Sequence, residues 1–257
     1  MWMMFCWFLV GTALSASPVE DAIRTLQQHS PDPIPMPNAN QLADLAQGTP
    51  VKMRIPGKPG APDGAMILVV SELSRQALWL GSADSHGEEQ RLIAHDMPLQ
   101  GNEMFRWYGL VDLPRPFADR HFLIKTVINT RLAAQEAGMW ERTWTLEPNG
   151  EATMRAEVVR GAVAGVGVEQ FDAALFTPAN SGGWLVLDLP DGRTLFGYHA
   201  VTSLGGDIPD GLVSRYAFWG LDEVLRTVFE RAAAIEQHYT GDHPLILGGD
   251  GRLVPHY

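Results

Sequence analysis

The sequence predicts an α+β fold in which a curved antiparallel sheet wraps around one long C-terminal helix. Two observations lead to this prediction. Between residues 49 and 203, most segments alternate apolar and polar side chains with a period of two, which is typical of half-buried strands. From Leu212 to Ile235, apolar residues recur at helical spacing, and a helix of about 30 residues would be roughly 45 Å long. Such a helix is not stable alone in water, so the sheet has to cover its apolar face.

The residues before the long helix indicate how it begins. Gly205 and Gly206 form a flexible pair suited to a sharp change of direction, and they are the predicted hinge for movement of the helix. Asp207 is predicted to be the N-cap, because its carboxylate can accept hydrogen bonds from the free amides of the first turn. Pro209 would then lie in that turn, where its missing N–H has no partner to lose.

The composition is that of a globular domain with an acidic balance. The chain has 257 residues, 46% of them hydrophobic, and a formal net charge of −11, from 19 Lys and Arg against 30 Asp and Glu. No basic cluster is present, which argues against nucleic-acid binding and against electrostatic docking on an anionic membrane. The length fits one domain of about 200 residues with an N-terminal extension.

The first 16 residues are uncharged and strongly apolar, and they are too short to span a bilayer. They are predicted to be a signal peptide with cleavage near Ser15 or Ala16, so a periplasmic or secreted protein is expected. The alternatives are an uncleaved hydrophobic anchor or a misassigned start codon. Cys6, which is the only cysteine, lies in this segment. The mature chain would therefore contain no disulfide, no thiol nucleophile and no cysteine metal ligand.

The chain divides into four consecutive parts: the signal peptide 1–16, an N-terminal extension 17–48, the domain of sheet and long helix 49–240, and a C-terminal tail 241–257. The extension is predicted to contain two short helices, Pro18–Gln28 and Asn40–Gln47. The proline-rich spacer Ser30–Asn38 joins them and must be extended. We expect the extension to pack on the outside of the domain or to move.

Ten segments are predicted as strands: residues 49–55, 65–70, 91–99, 104–113, 121–132, 139–146, 152–160, 170–177, 184–189 and 194–203. A helix capped by Ser71 is predicted after the second of them. Pro190-Asp191-Gly192 is a strong turn signal between the last two. In segment 121–132, Phe122, Ile124 and Thr126 share the face that we predict to be concave and buried.

Three motifs resemble those of a known family. They are Val111–Pro116 running into Asp119–Phe122, Gly183–Leu185 followed by Thr194–Tyr198, and Leu204–Pro209 followed by Leu212–Ser214. In order and spacing they resemble a START-type lipid-binding domain, over roughly residues 51–237. This family is part of the helix-grip (SRPBCC) superfamily, with the birch-pollen allergens and polyketide cyclases. The sequence departs from the pattern at His121, where Asp is usual, and at Thr126, where some sterol-binding members keep an arginine.

The resemblance implies a helix-grip fold with an apolar cavity between the sheet and the C-terminal helix, holding one lipid-like molecule. The implied function is binding and carriage, or sensing, of a hydrophobic small molecule, without a cofactor. Transient contact with a membrane is compatible with this function, and the sequence makes no prediction of oligomeric state. The candidate ligand-binding residues are Arg120, Phe122, Ile124, Thr126, Trp140, Arg142, Trp144, Phe196, Tyr198, Leu212, Tyr216, Trp219 and Leu225.

Several candidates also have a purely structural interpretation. Arg120 could contact a ligand head group, or it could order the loop at the start of its strand. Trp140 and Trp144 could flank a planar ligand with Arg142 at its polar end, or they could pack under the extension. Tyr198 is predicted to face the helix, as a ligand contact or as a buried tyrosine bonded to the backbone. His199 is predicted to be exposed on the opposite face.

The sequence predicts no catalytic and no metal-binding residue. It contains no G-x-S-x-G, no phosphate-binding loop and no paired-carboxylate signature, and its eight histidines follow no metal-ligand spacing. One alternative is a cyclase or hydrolase on the same fold, in which Arg120, Arg142 or Tyr198 polarises a carbonyl and a histidine acts as base. Another is an interaction module whose groove is filled by its own side chains or by the extension.

Overall fold

The structure, a computed structural model, describes residues 17–57, 61–83 and 92–257. The predicted signal peptide, Cys6 and His86 lie outside the described residues. The elements in chain order are α1 Pro18–His29, α2 Ala39–Ala46, β1 Val51–Ile55, β2 Gly64–Ser71, α3 Arg75–Ala83, β3 Leu92–Asp96, β4 Glu103–Val111, β5 Arg120–Ile128, α4 Thr130–Gln135, β6 Met139–Leu146, α5 Gly150–Val159, α6 Val168–Ala173, β7 Leu175–Phe176, β8 Ala179–Asp188, β9 Thr194–Ser203 and α7 Asp210–His238.

The strands form one sheet in the order β1-β2-β9-β8-β6-β5-β4-β3, and every neighbouring pair on this path is antiparallel. The short strand β7 pairs in parallel with the start of β5. The predicted α+β fold, an antiparallel sheet with a long C-terminal helix, is confirmed. Because β9 pairs with β2 and β8 pairs with β6, the β8–β9 hairpin lies between the first two strands and the remaining strands of the sheet.

The sheet is covered on both faces. On the concave face, α3 and α7 pack over β2, β8 and β9, in a core that includes Trp79, Phe196 and Val228. On the convex face, the extension packs Ile23 and Leu26 of α1 and a side chain of α2 against β1, β2, β8 and β9. The extension therefore lies on the opposite face from α7, and it does not fill the concave side.

The end of α3 crosses α7 at very short range. A Cβ atom built on Gly81 would lie 2.7 Å from the backbone nitrogen of Ala232, closer than real Cβ contacts come. Only glycine therefore allows the two backbones to approach this closely. The neighbouring Trp79 and Ala232 are both buried in the same core.

Two predicted strands are wrong, because residues 152–160 and 170–177 contain helices α5 and α6. Met154 and Val158, one helical turn apart, pack with Phe171 on the convex face of β4 and β5, against Tyr108 and Leu123. The true apolar period in these segments is therefore that of a helix. Only Leu175–Phe176 of the second segment forms a strand.

Some predicted boundaries are also corrected. Helix α7 begins at Asp210 with Pro209 as its N-cap, so Asp207 lies in the preceding turn and is not the cap. That turn contains Gly205 and Gly206 at φ of 65° and 63°, as the predicted change of direction requires. Helix α3 is capped by Ser74, whose Oγ accepts from Ala77 N at 3.2 Å, and not by Ser71.

Helix α7 has 29 residues and carries charged side chains along its exposed side. Across the described ranges, no helix is both long enough and apolar enough to cross a membrane. The predicted strand 121–132 ends at Ile128, where Asn129 caps α4 by accepting a hydrogen bond from Leu132 N. In the tail, Leu247 and Leu253 form an isolated antiparallel β-bridge.

Candidate ligand-binding site

A group of large apolar side chains lies on the concave face beside α7. The main packing of α7 is against α3, β1, β2 and β9. Next to this contact, the inner side chains of β4, β5, β6, β8 and β9 form a second cluster, to which no described residue of α7 belongs. Its member Tyr198 also packs against Leu221 of α7. We call the six largest members of this cluster the aromatic trough: Trp107, Phe122, Ile124, Trp144, Trp184 and Tyr198.

The rings of the aromatic trough form a continuous surface. Trp184 and Tyr198 are directly opposite each other on β8 and β9, with ring centres 4.4 Å apart. The Tyr198 ring is stacked on Trp144 at 5.7 Å, and Trp107 meets Phe122 edge-to-face at 5.2 Å. Trp107, Trp184 and Tyr198 remain half-buried, so solvent reaches a surface made of aromatic rings.

Two glycines make room for these rings. A Cβ atom at Gly182 would lie 2.3 Å from the Trp144 indole, and one at Gly109 would lie 2.6 Å from the Phe122 ring. Both rings therefore lie flat over a bare stretch of backbone. The Trp144 indole is fixed further by its Nε1, which donates a hydrogen bond to Asn180 Oδ1 at 3.0 Å.

Arg142 lies at the inner end of the aromatic trough. Its guanidinium carbon is 5.5 Å from the centre of the Trp184 ring and 4.6 Å from that of Trp79, which belongs to the core under α7. The residue is only 2% exposed. Its Nη2 donates to Ser82 Oγ at 3.0 Å, whereas its Nη1 has no hydrogen-bond partner. Burial lowers the pKa of Arg142 to about 9.

Arg120 is buried at the start of β5, and its guanidinium is occupied by backbone carbonyls. Its Nε donates to Leu204 O, its Nη1 to Ala118 O, and its Nη2 to Gly205 O at 3.0 Å. Burial lowers its pKa, against the opposing effect of the nearby carboxylate of Asp119. Arg120 therefore connects the start of β5 to the turn that precedes α7.

We expect the substitution Arg120→Lys to lower the free energy of unfolding by about 2 kcal/mol, because a single ammonium nitrogen cannot reach carbonyls that the planar guanidinium contacts from three separate nitrogens. Urea denaturation measures this loss. Affinity for a hydrophobic ligand should stay within about twofold, since the guanidinium is bonded to the backbone. A large loss of affinity at unchanged stability would instead mean that Arg120 contacts the ligand.

The sequence matches no protein-family model and no curated protein. Among solved structures, it is similar to a STAR-related lipid transfer protein from Xanthomonas axonopodis, at 12% identity and a TM-score of 0.50, over 72% of this chain and 92% of that one. The chain has the START-type fold.

Two further structures are similar over much of the chain at lower TM-scores. Human StAR-related lipid transfer protein 5 has 11% identity and a TM-score of 0.48, over 85% of this chain and 95% of that one. The Zhui aromatase/cyclase from a Streptomyces species has 12% identity and a TM-score of 0.34, over 66% of this chain and 93% of that one.

Within this START-type fold, the predicted site residues other than Arg120 separate into three groups. Phe122, Ile124, Trp144 and Tyr198 lie together in the aromatic trough. A second group is buried or half-buried beside the trough or in the core under α3 and α7: Thr126, Trp140, Arg142, Phe196 and the half-buried Leu225. A third group lies on the exposed side of α7, with exposed fractions of 54%, 76% and 58%: Leu212, Tyr216 and Trp219.

Two trough residues, Trp107 and Trp184, were not among the predicted site residues. The turn at Pro190-Asp191-Gly192 is the sequence feature that could have identified Trp184 as a site residue. A hairpin closed at this turn pairs Asp188 with Thr194 and, further along, Trp184 with Tyr198. Trp107 lies opposite Ile124 through the pairing of β4 with β5. The sequence contains no comparable turn signal that would predict how β4 pairs with β5.

The prediction that His199 is exposed is wrong, because the extension covers the convex face. His199 is 1% exposed, and its Nε2 lies 3.7 Å from Asp32 Oδ2 of the proline-rich spacer. Burial lowers the pKa of His199 to about 4. In the same region the carboxylate of Glu141 accepts hydrogen bonds from Ser30 Oγ and Asn129 Nδ2, both at 2.6 Å, and burial raises its pKa.

Two open pockets of the described structure lie away from the aromatic trough. One, of about 530 Å³, lies between the turn 112–119 and the end of α6. The other, of about 300 Å³, lies between the proline-rich spacer and the end of β1. Among the described residues, no group of three histidine, cysteine or acidic side chains is arranged to hold a metal ion.

Proposed function

We propose that this START-type domain binds a hydrophobic small molecule of lipid-like character on the aromatic trough, for carriage or sensing. The observation that carries the proposal is a cluster of aromatic rings on the concave face, of which Trp107, Trp184 and Tyr198 remain half-buried. The neighbouring part of that face is closed by α3 and α7. Apolar surface of this extent is usually covered in a folded protein, and a ligand that covers it gains roughly 25 cal/mol per Å² buried.

Binding without turnover is supported by the position of the histidines. His121 contacts Phe171 of the convex-face core, and His199 contacts the extension, so both lie on the far side of the sheet from the trough. The polar groups near the rings include the Tyr198 hydroxyl, the Asn180 amide and the Arg142 guanidinium, which donates to Ser82 Oγ. A cyclase or hydrolase on this fold would need a base next to the bound substrate, and these two histidines cannot supply it from the opposite face.

The proposal includes export. Residues 1–16 have the pattern of a signal peptide, so we infer that the ligand is met in the periplasm or outside the cell. A carrier working there would load from and deliver to membranes through transient contact. The exposed side chains of Leu212, Tyr216 and Trp219 on α7 are suited to such contact, since tyrosine and tryptophan favour the interface between lipid and water.

The direct test is to extract the purified protein with organic solvent and to identify co-purified molecules by mass spectrometry. We expect a hydrophobic compound bound at a defined stoichiometry. A consistently empty protein that also binds no lipid from an added bacterial extract would overturn the proposal.

A matched pair of tryptophan substitutions locates the ligand. We expect Trp184→Ala in the trough to weaken binding of an environment-sensitive fluorescent lipid by about tenfold or more, because a ring that contacts the ligand is lost. Trp219→Ala, on the exposed side of α7, is the control and should change the affinity by less than about twofold. Equal effects of the two substitutions would exclude the trough as the binding surface.

A further inference from the structure

The charge of Arg142 has no counterpart among the described residues. Arg142 is 2% exposed, its Nη1 has no hydrogen-bond partner, and its Nη2 donates only to the neutral Ser82 hydroxyl. The aromatic faces of Trp79 and Trp184 lie next to it and attract a cation, but they carry no net charge. In the described ranges, no carboxylate forms an ion pair with this guanidinium.

A buried arginine without a carboxylate partner is unusual. The buried arginine Arg106, on β4, shows the common solution: its Nε and Nη2 donate to the two carboxylate oxygens of Glu147, each at 2.6 Å. A buried cation without such a partner is costly, because desolvation is not offset by a nearby negative charge. A chain that only needed to fill this position would be more stable with an apolar side chain of similar length.

The charged guanidinium of Arg142 lies next to the aromatic trough. On β6 it is two residues from Trp144, on the same face, and it lies directly opposite Trp184 on β8. A molecule lying along the rings of these two tryptophans would therefore place one of its ends near Nη1. The tryptophan rings would contact the apolar body of that molecule, and the adjacent Arg142 guanidinium would contact its charged end.

We propose that the ligand of the aromatic trough is an amphiphile with a single carboxylate at one end, and that this carboxylate pairs with Arg142. The inference rests on the proposed function and adds the chemical class of the ligand. One carboxylate balances one guanidinium, and the planar group can accept from neighbouring guanidinium N–H groups in a charge-assisted arrangement. The apolar remainder would lie on Trp144, Trp184 and Tyr198.

The test compares two ligands that differ only at the end group, decanoic acid and 1-decanol. Isothermal titration calorimetry with the wild-type chain at about pH 7, where the acid is ionised, should give at least about tenfold tighter binding of the acid. Arg142→Met should abolish this advantage, so that the acid binds no more tightly than 1-decanol. Arg75→Met is the matched control and should retain the preference for the acid, because Arg75 stacks on Trp140 outside the trough.

The outcomes separate the two proposals. Equal binding of acid and alcohol by the wild type would overturn the carboxylate assignment and leave the proposed function standing, whereas binding of neither would overturn both. A preference for the acid that survives Arg142→Met would also overturn the assignment. The wild-type comparison is decisive even if the variant folds poorly. We expect the variant to melt no lower than the wild type, because a buried unpaired charge has been removed.

Discussion

Replacing Trp79 with alanine is expected to lower the free energy of unfolding by about 4 kcal/mol, the usual range for removing a fully buried tryptophan. Trp79 is 0% exposed and contacts Trp140 edge-to-face with ring centres 5.4 Å apart. Its Nε1 donates to Leu247 O at 2.8 Å, which connects α3 to the C-terminal tail. The substitution removes the ring from the core under α7 and leaves this carbonyl without its donor.

Urea denaturation followed by circular dichroism measures this effect, with Trp219→Ala as the matched control. The Trp219 ring is 58% exposed and contacts the Arg215 guanidinium, so its removal should change the free energy of unfolding by less than about 0.5 kcal/mol. If both substitutions cost the same, the core around Trp79 is not the main support of the sheet and α7.

The second large effect is a pH dependence from His121. This residue is 0% exposed, and its ring lies 4.4 Å from that of Phe171 and 5.3 Å from that of Phe176. Its Nδ1 lies 3.3 Å from the Tyr108 hydroxyl, and its Nε2 has no partner. Burial among these rings lowers the pKa of His121 from 6.5 to about 4, because desolvation disfavours the charged imidazolium.

The sign of the dependence follows from proton linkage. Below about pH 6.5 the unfolded chain takes up a proton at His121 that the folded chain does not take up until about pH 4. The folded state therefore loses stability as the pH falls through this window, by about 3 kcal/mol at full extent. Asp32 and Glu141 act in the opposite direction, because burial raises the pKa of both carboxyls.

The variant His121→Asn isolates this contribution, since the asparagine side chain can still accept a hydrogen bond from Tyr108 but does not titrate. The difference in unfolding free energy between wild type and variant should shift in favour of the variant by about 2 kcal/mol between pH 8 and pH 5. At pH 8 the difference reports packing alone and serves as the baseline. A difference that does not vary with pH would show that His121 is protonated in the folded protein, or that its environment is open to water.

Much of the fold could be predicted from local pattern. The strand Met139–Leu146 was predicted with the observed bounds, although both of its faces are buried in the structure. The long C-terminal helix was also predicted, although Tyr216 and Trp219 of its predicted apolar stripe are exposed. In these segments the spacing of the side chains indicates the correct type of element.

Helices α5 and α6 could not be predicted from the local sequence pattern. Residues 150–159 contain two adjacent valines and only two buried large apolar side chains, Met154 and Val158, so a strand and a helix explain the local pattern equally well. The contact that decides is non-local, since this pair packs on Tyr108 and Leu123 of two separate strands. Tertiary packing therefore overrides the weak local preference.

The site could be predicted only in part, because its boundary also depends on non-local packing. Alternation assigned Phe122 and Ile124 to the concave face and left the face of Trp144 open, and it could not show where α7 stops covering the concave face. This boundary leaves Leu212 and Trp219, predicted to bind the ligand, on the exposed side of the helix. The burial of His199 depends likewise on the path of the extension, which no local pattern specifies.

The backbone contact between Gly81 and Ala232 determines which part of α7 could move when a guest is admitted. The second half of the helix cannot separate from the sheet without also pulling away from α3, which would disrupt the surroundings of Trp79. The first turns follow two glycines in the left-handed conformation and are held by hydrogen bonds: Ser203 Oγ donates to Asp210 Oδ1 at 2.6 Å, and Ser214 Oγ donates to Asp63 O at 2.9 Å. Any movement of α7 that keeps its contact with α3 is therefore confined to the N-terminal part of the helix and must break these bonds.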